Sequence, residues 1–288
     1  MYAVVGATGN TGRAIVKELK GLGESPICVV RNADKAKDVL GADTKTAIAE
    51  LDDRAAMEKA LAGSKRVFIV TGHNPKSDVQ QINVIDAAKA AGAEYIVKVS
   101  GGRDVIGPNV ESVNGQAHYK IEEHLKKSGL QWCILSPGLF MQNIMGQAAN
   151  IKDQGKIIQP WPKDLPVALI DVRDTGALGA RVLREPAKHN GKLYSFSGVS
   201  TTFGDFAKVI SDTIGKPLTY VEITLEQAEA GMKSRGMPDW LVAHLVSIAR
   251  AGHKGAFSHE NTKPIHDIVG RAPITTKQFS QDFKGAFS

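Results

Sequence analysis

The residues Gly6-Ala7-Thr8-Gly9-Asn10-Thr11-Gly12 stand between an apolar run at 2–6 and a stretch of helical period. Glycines at this spacing in a strand–turn–helix setting can hold a diphosphate. Gly6 would permit the tight turn, Gly9 would let backbone approach the pyrophosphate, and Gly12 would let the helix pack close to the strand. Backbone N–H groups from Thr8 through Asn10 and Thr11 would then face the anion, with the helix dipole stabilising its charge. The pattern is G-x-x-G-x-x-G, one residue longer than the common form. A glycine-rich turn without a ligand would carry the same glycines, and the strand–turn–helix setting is what favours a dinucleotide.

Arg31 ends the next apolar run, PICVVR at 26–31. A site for an unphosphorylated dinucleotide places Asp or Glu there to accept from the ribose 2′-hydroxyl. An acid would repel a 2′-phosphate, whereas a guanidinium holds one through charge-assisted hydrogen bonds. Arg31 therefore indicates NADPH/NADP+ as the cofactor. Arg13 either reaches the same phosphate or is a solvated helix residue.

A second set of groups suits proton chemistry. Ser100 closes the run EYIVKVS, and His118 and Glu122 lie four apart in NGQAHYKIEEHLKKSG. On a helix that spacing puts both on one face, where a carboxylate can orient an imidazole for proton donation or substrate contact. A surface i,i+4 pair would look the same. No Tyr has a Lys four residues on: Tyr119 is followed by Glu122 and Glu123, and Tyr95 by Val99. A simple ketone would develop localised alkoxide charge and want such an acid. Its absence favours flat, conjugated acceptors that spread the charge.

Positioning these groups requires a sheet. Near-continuous apolar runs at 2–6, 26–31, 44–50, 66–71, 94–100 and 131–136 read as parallel strands covered on both faces. Helical periods separate them, marked by Ile15, Val16, Leu19 and Leu22, by Met57 and Leu61, by Ile82 and Ile85, and by Val113, Ala117, Ile121 and Leu125. The expected fold is α/β, a Rossmann-type doubly wound parallel sheet with a smaller, mainly helical C-terminal substrate domain. The first domain covers 1–150. The second covers 151–288 and is interleaved, with a βα unit near 192–215 returning to the sheet. IIQPWPKDLP reads as a loop, VALIDV as a strand, and Trp240, Leu241, Leu245 and Ile248 as one helix face.

The chain has 288 residues, with 36 basic against 30 acidic and a net charge of +6. The basic residues are scattered, which suits an anionic cofactor and disfavours a nucleic-acid footprint. No run is long enough for a membrane span, no targeting segment is expected before Tyr2, and no metal site is expected. Cys28 and Cys133 fall inside strand-like runs, as buried thiols in a reducing cytoplasm would.

Several stretches together resemble the NmrA-like branch of atypical short-chain dehydrogenases/reductases. They are GATGNTG, VVRNADKAK, LAGSKRVFIVTG, EEHLKKSGLQWCILSPGLFMQN, IDVRDTGALGA, YSFSG and GRAPITTKQFSQDF, in that order. The resemblance spans essentially the whole chain and implies NADP(H) binding with a substrate cleft between two domains. The pattern at His118 and Glu122 is similar to that of quinone oxidoreductase-like and triphenylmethane reductase-like members. Benzylic ether and isoflavone reductases carry a Lys where this chain has His118, so no Lys-based mechanism is carried over. By the same resemblance Thr71, Gly72, His73 and Asn74 border the nicotinamide, and Ser100 and Pro137 help bind the cofactor. Pro137, Gly138 and Phe140 flank the substrate cleft with Asn143 nearby, although Pro137-Gly138 could be only a turn and Phe140 only core. The implied activity is hydride transfer from NADPH to a small quinone or similar aromatic substrate. The alternative is a non-catalytic NADP(H) sensor that binds a partner protein, and either reading leaves room for a homodimer.

Overall fold

The computed structural model describes residues 1–288. The six apolar runs form β1 (Tyr2–Val5), β2 (Ile27–Val30), β3 (Thr46–Ile48), β4 (Arg66–Ile69), β5 (Tyr95–Val99) and β6 (Gln131–Pro137). Between them lie α1 (Asn10–Gly21), α2 (Ala33–Leu40), α3 (Arg54–Leu61), α4 (Ser77–Ala90) and α5 (Val113–Lys127). Polar side chains start most of these helices: Asn32 accepts from the Lys35 N–H, Asp53 from Ala56 and Ser112 from Gly115. The exceptions are α1, which begins at Gly9, and α4, which begins at Lys76, neither with a side-chain cap.

The second half is built from shorter pieces. They are β7 (Leu139–Phe140), α6 (Ala148–Gln154), β8 (Lys156–Gln159), β9 (Val167–Ile170), α7 (Val172–Arg184), α8 (Pro186–His189), β10 (Lys192–Phe196) and β11 (Ser200–Thr201). After them come α9 (Phe203–Ile214), β12 (Thr219–Glu222), α10 (Leu225–Ser234), α11 (Asp239–His253), α12 (Thr276–Asp282) and α13 (Lys284–Phe287).

The main sheet has seven strands in the order β10-β6-β5-β4-β1-β2-β3, every pairing parallel. Strand order reverses between β1 and β4. That switch point leaves a crevice at the carboxyl ends of the strands, where Gly6 and Thr71 sit. One sheet face is covered by α1 and α7 through Ile15, Leu19, Leu178 and Leu183, the other by α3, α4 and α5 through Met57, Leu61, Ile85, Ile121 and Leu125. A third core holds Phe203, Phe206, Phe279 and Phe287 together with β8 and β9 residues. It lies beside two small sheets, β11-β9-β7 and β12-β8.

Four local expectations change. Residues 157–159 of the expected proline loop belong to β8, which pairs with β12 across about sixty positions of chain. No local pattern reveals so distant a partner. β10 joins the edge of the main sheet, but α9 packs in the third core against α12 and β12. Val113, the first residue of α5, is 50% exposed, while Ala117, Ile121 and Leu125 are buried. On α11 the buried apolar residues are Val242, Val246 and Ala249, whereas Leu245 is 38% exposed, and Leu245, Val246, Ile248 and Ala249 all line a cavity.

Candidate active site

The turn after β1 is fixed by steric necessity. Gly6 has φ +81, and a Cβ there would lie 1.7 Å from the Val70 carbonyl oxygen. A Cβ on Gly12 would lie 2.1 Å from the Gly6 carbonyl oxygen, so the start of α1 is pressed onto the loop. Gly9 differs. Its N–H donates to Gly6 O at 3.1 Å, and no protein atom comes within 3.5 Å of where its Cβ would be. The protein itself does not require glycine there, which leaves open space over the uncapped start of α1. Thr8 and Asn10 are exposed beside it, Thr11 is buried, and Arg13 donates to Asn10 Oδ1 at 2.7 Å. Arg31 is exposed at the end of β2. This set fits a diphosphate on the loop and a further phosphate near Arg31.

Across the switch point, Thr71 Oγ1 accepts from Gln81 Nε2 at 2.8 Å, and Gly72 is exposed. The Asn74 side chain is spent on its own loop. Its Oδ1 accepts from the Lys76 N–H and its Nδ2 donates to Gln80 Oε1 at 3.0 Å, and it does not line the cavity described next.

That cavity encloses about 510 Å³ between the sheet edge and the second half of the chain. His73, Ser100, His118, Pro137, Gly138, Phe140 and Asn143 all line it. Facing them are Trp161, Phe203 and Phe257, with Trp161 tilted against Phe203 at 5.4 Å between centroids. Phe257 holds φ +65, an unusual value for a bulky residue. Two hydrogen bonds pin it: its N–H donates to Asp104 Oδ2 at 2.8 Å, and its carbonyl accepts from the Ala168 N–H at 2.7 Å.

Beneath the polar side lies a buried charged network. Alternation along β5 turns Ile96, Lys98 and Ser100 toward α5. Lys98 is wholly buried, and its Nζ lies 3.0 Å from His118 Nδ1 and donates to Val99 O at 3.2 Å. Glu122, 2% exposed, accepts from Ser100 Oγ at 2.6 Å and from Arg103 Nη1 at 2.9 and 3.0 Å. The expected His118–Glu122 pairing is thus replaced: Lys98 meets the imidazole, while Ser100 and Arg103 take the carboxylate. Donation to Glu122 leaves Ser100 an acceptor toward the cavity. Burial pushes the Lys98 pKa down to about 7, against an opposing pull from Glu122. Burial also holds His118 well below its ordinary value, and the Lys98 charge adds to this.

Two further histidines complete the wall. His244 of α11 lies 4.7 Å from His73 between ring centroids, and its Nδ1 is 3.0 Å from the Ser112 hydroxyl that caps α5. Burial brings His244 down to about 4 and, from the crowded inner side, lowers exposed His73 too. At neutral pH all three rings are uncharged.

Sequence reasoning passed over Lys98, Arg103, His244, Trp161 and Phe257. A signal existed for Lys98 alone, since a lysine inside an otherwise apolar strand must find a buried partner. The others are brought in by non-local packing.

A model of the NmrA-like family matches residues 2–268. The chain belongs to the NmrA-like family. This NmrA-like chain is 32% identical to an NAD(P)H azoreductase from Xenophilus azovorans, over 100% of its own length and 99% of that protein. It is 29% identical to quinone oxidoreductase 2 of Escherichia coli strain K12, over 96% of each. A crystal structure of an NADPH-dependent quinone oxidoreductase from Escherichia coli, complexed with NADPH, superposes with a TM-score of 0.86. The two share 27% identity, covering 99% of this chain and 100% of that one.

Two outcomes follow from this geometry. Gly12→Ala should lose about 2–3 kcal/mol of stability through overpacking, whereas Gly9→Ala should lose under about 1 kcal/mol yet weaken NADPH binding roughly tenfold. Denaturant melts and calorimetry on both variants check this, and equal effects on stability would refute it. Folding should also weaken on acidification. The His244 imidazole takes a proton near pH 6.5 when unfolded but only near 4 when folded. The unfolded state therefore binds more protons between those values, and stability falls as pH drops through the window. Thermal melts of His244→Phe should show a shallower fall than wild type, and identical slopes would contradict the assignment.

Proposed function

We propose that this protein, an NAD(P)H-dependent oxidoreductase, delivers hydride from NADPH to a quinone or similar conjugated aromatic acceptor. The observation that carries the reading is the cavity of about 510 Å³, aromatic and apolar on one side and lined by Ser100, His118 and His73 on the other. His73, Ser100 and Pro137 bring it to the carboxyl ends of β4, β5 and β6. When bound, the reduced nicotinamide supplies the hydride.

The chain's own residues have three tasks. The turn at Gly6–Gly12 and Arg31 hold the dinucleotide, while Thr71, Gly72, His73, Ser100 and Pro137 border its reactive end. Trp161, Phe203, Phe257 and Phe140 exclude water and hold a flat acceptor by face and edge contacts. His118 offers a ring nitrogen to the acceptor oxygen, with Asn143 at the cavity edge. Asn74 is left out of this role because its side chain is committed to its loop. A cavity of this size above a buried, charged floor favours the enzyme over a purely sensing protein. The two free, buried cysteines support a reducing cytoplasm. No helix is long and apolar enough to cross a membrane.

Incubation with NADPH and a panel of naphthoquinones, azo compounds and cationic dyes tests the reading by loss of reduced-nicotinamide absorbance. Turnover with at least one planar acceptor is expected, and tight nucleotide binding without any turnover would favour the sensor. Arg31→Ala should raise the NADPH dissociation constant roughly tenfold, about 1.4 kcal/mol, and leave that for NADH nearly unchanged. Equal losses for both nucleotides, by calorimetry, would remove Arg31 from 2′-phosphate recognition.

A further inference from the structure

His118 faces the cavity with one ring nitrogen and meets Lys98 with the other. Reducing a quinone to a hydroquinone takes one hydride and one proton. The hydride comes from the reduced pyridine nucleotide, and the proton must come from the protein or solvent. His118 alone is a poor source. Its pKa is held well below the ordinary value, so it is neutral at neutral pH. A neutral imidazole that gives up its only N–H would become an anion, unless a second proton arrives at the opposite nitrogen in the same event.

We propose that Lys98 is the proton reserve of this site, a positioning residue that sets the His118 tautomer and refills the ring as it protonates the reduced acceptor. The proposal rests on the quinone reading above. An ammonium has only donors, so a protonated Lys98 3.0 Å from Nδ1 makes that nitrogen the acceptor. The ring proton then sits on Nε2, facing the cavity. As the acceptor oxygen becomes negative, the Nε2–H bond breaks and an O–H bond forms. The Lys98 Nζ–H bond breaks and Nδ1 gains that proton. The imidazole stays neutral throughout, and Lys98 ends as an uncharged amine accepting from Nδ1–H. A solvent proton entering at Nε2 after product release reverses the shift. The groups facing this pair are Glu122 on α5, Arg103 in the turn after β5, His73 after β4 and His244 on α11. With Glu122 opposed by Arg103 and burial dominant, Lys98 loses its proton near pH 7, which suits a donor at neutral pH.

The test has two readouts. In the first, kcat/KM for a quinone is followed against pH. Wild type should lose activity as pH rises through about 7. In Lys98→Met that limb should vanish, and the rate at pH 6 should fall on the order of 100-fold. A cationic triphenylmethane dye takes hydride at carbon with no proton to follow, so the fall in rate should be far smaller with that acceptor than with the quinone. In the second, long-range proton–nitrogen NMR on nucleotide-free wild type at pH 6 should find the His118 proton on Nε2. The proposal is overturned by Nδ1–H in wild type, by an alkaline limb that survives in Lys98→Met, or by equal loss with both acceptors. Should Lys98→Met fail to bind NADPH, Lys98→Arg replaces it: the cation and the Nε2 tautomer stay, but the proton cannot be given. If wild type reduces no acceptor, the acceptor reading fails, and the NMR result alone decides on the Lys98–His118 pair.

Discussion

The carbonyl oxygen of Gly6 is wedged between two backbones. It occupies the space where a side chain on Gly12 would stand, while Gly6 itself presses on the Val70 carbonyl of the neighbouring strand end. This crowding joins β1, β4 and α1 at one point, and that point is the switch in strand order. The start of α1, the end of β2 with Arg31 and the loop after β4 all take their places from it. Close-packed backbone tolerates almost no adjustment, so the crevice is rigid at its base.

A second constraint is electrostatic. Lys98, Arg103 and Glu122 bring charge into the interior beneath the cavity, where an unpaired ion would be expensive. Each finds a partner: Glu122 receives the Ser100 hydroxyl and the Arg103 guanidinium, and Lys98 meets His118 and a backbone carbonyl. Burial then acts differently on the two bases. It leaves His118 uncharged and brings the lysine to the edge of ionisation. One helix face thereby combines a fixed carboxylate with a mobile proton.

Much of the frame could be read from local pattern. The strands at Tyr2–Val5, Ile27–Val30 and Tyr95–Val99 are continuous apolar runs, and the glycine turn announces its own steric needs. The site was half legible. Spacing put His118 and Glu122 on one helix face, yet each is captured by a neighbour on or just after β5, because the strand packed beneath α5 comes closer than the next helical turn. β8 was hidden by a partner some sixty residues away, and His244 by arriving from the far end of the chain. Leu245 and Ile248 misled because large apolar side chains can face a cavity as well as a core.

The chain's route between its cores matters for how the molecule can be taken apart. After β6 it leaves for α6, β8 and β9, returns in α7 to cover α1, contributes β10 to the sheet edge, and leaves again for α9. The halves are therefore sewn together rather than hinged on one thread. Cutting anywhere near residue 150 would strip α7 from one sheet face and expose Ile15, Leu19 and Phe68. Neither fragment would make a workable miniature, whereas a circular permutant opened at an exposed surface turn would keep every crossing intact.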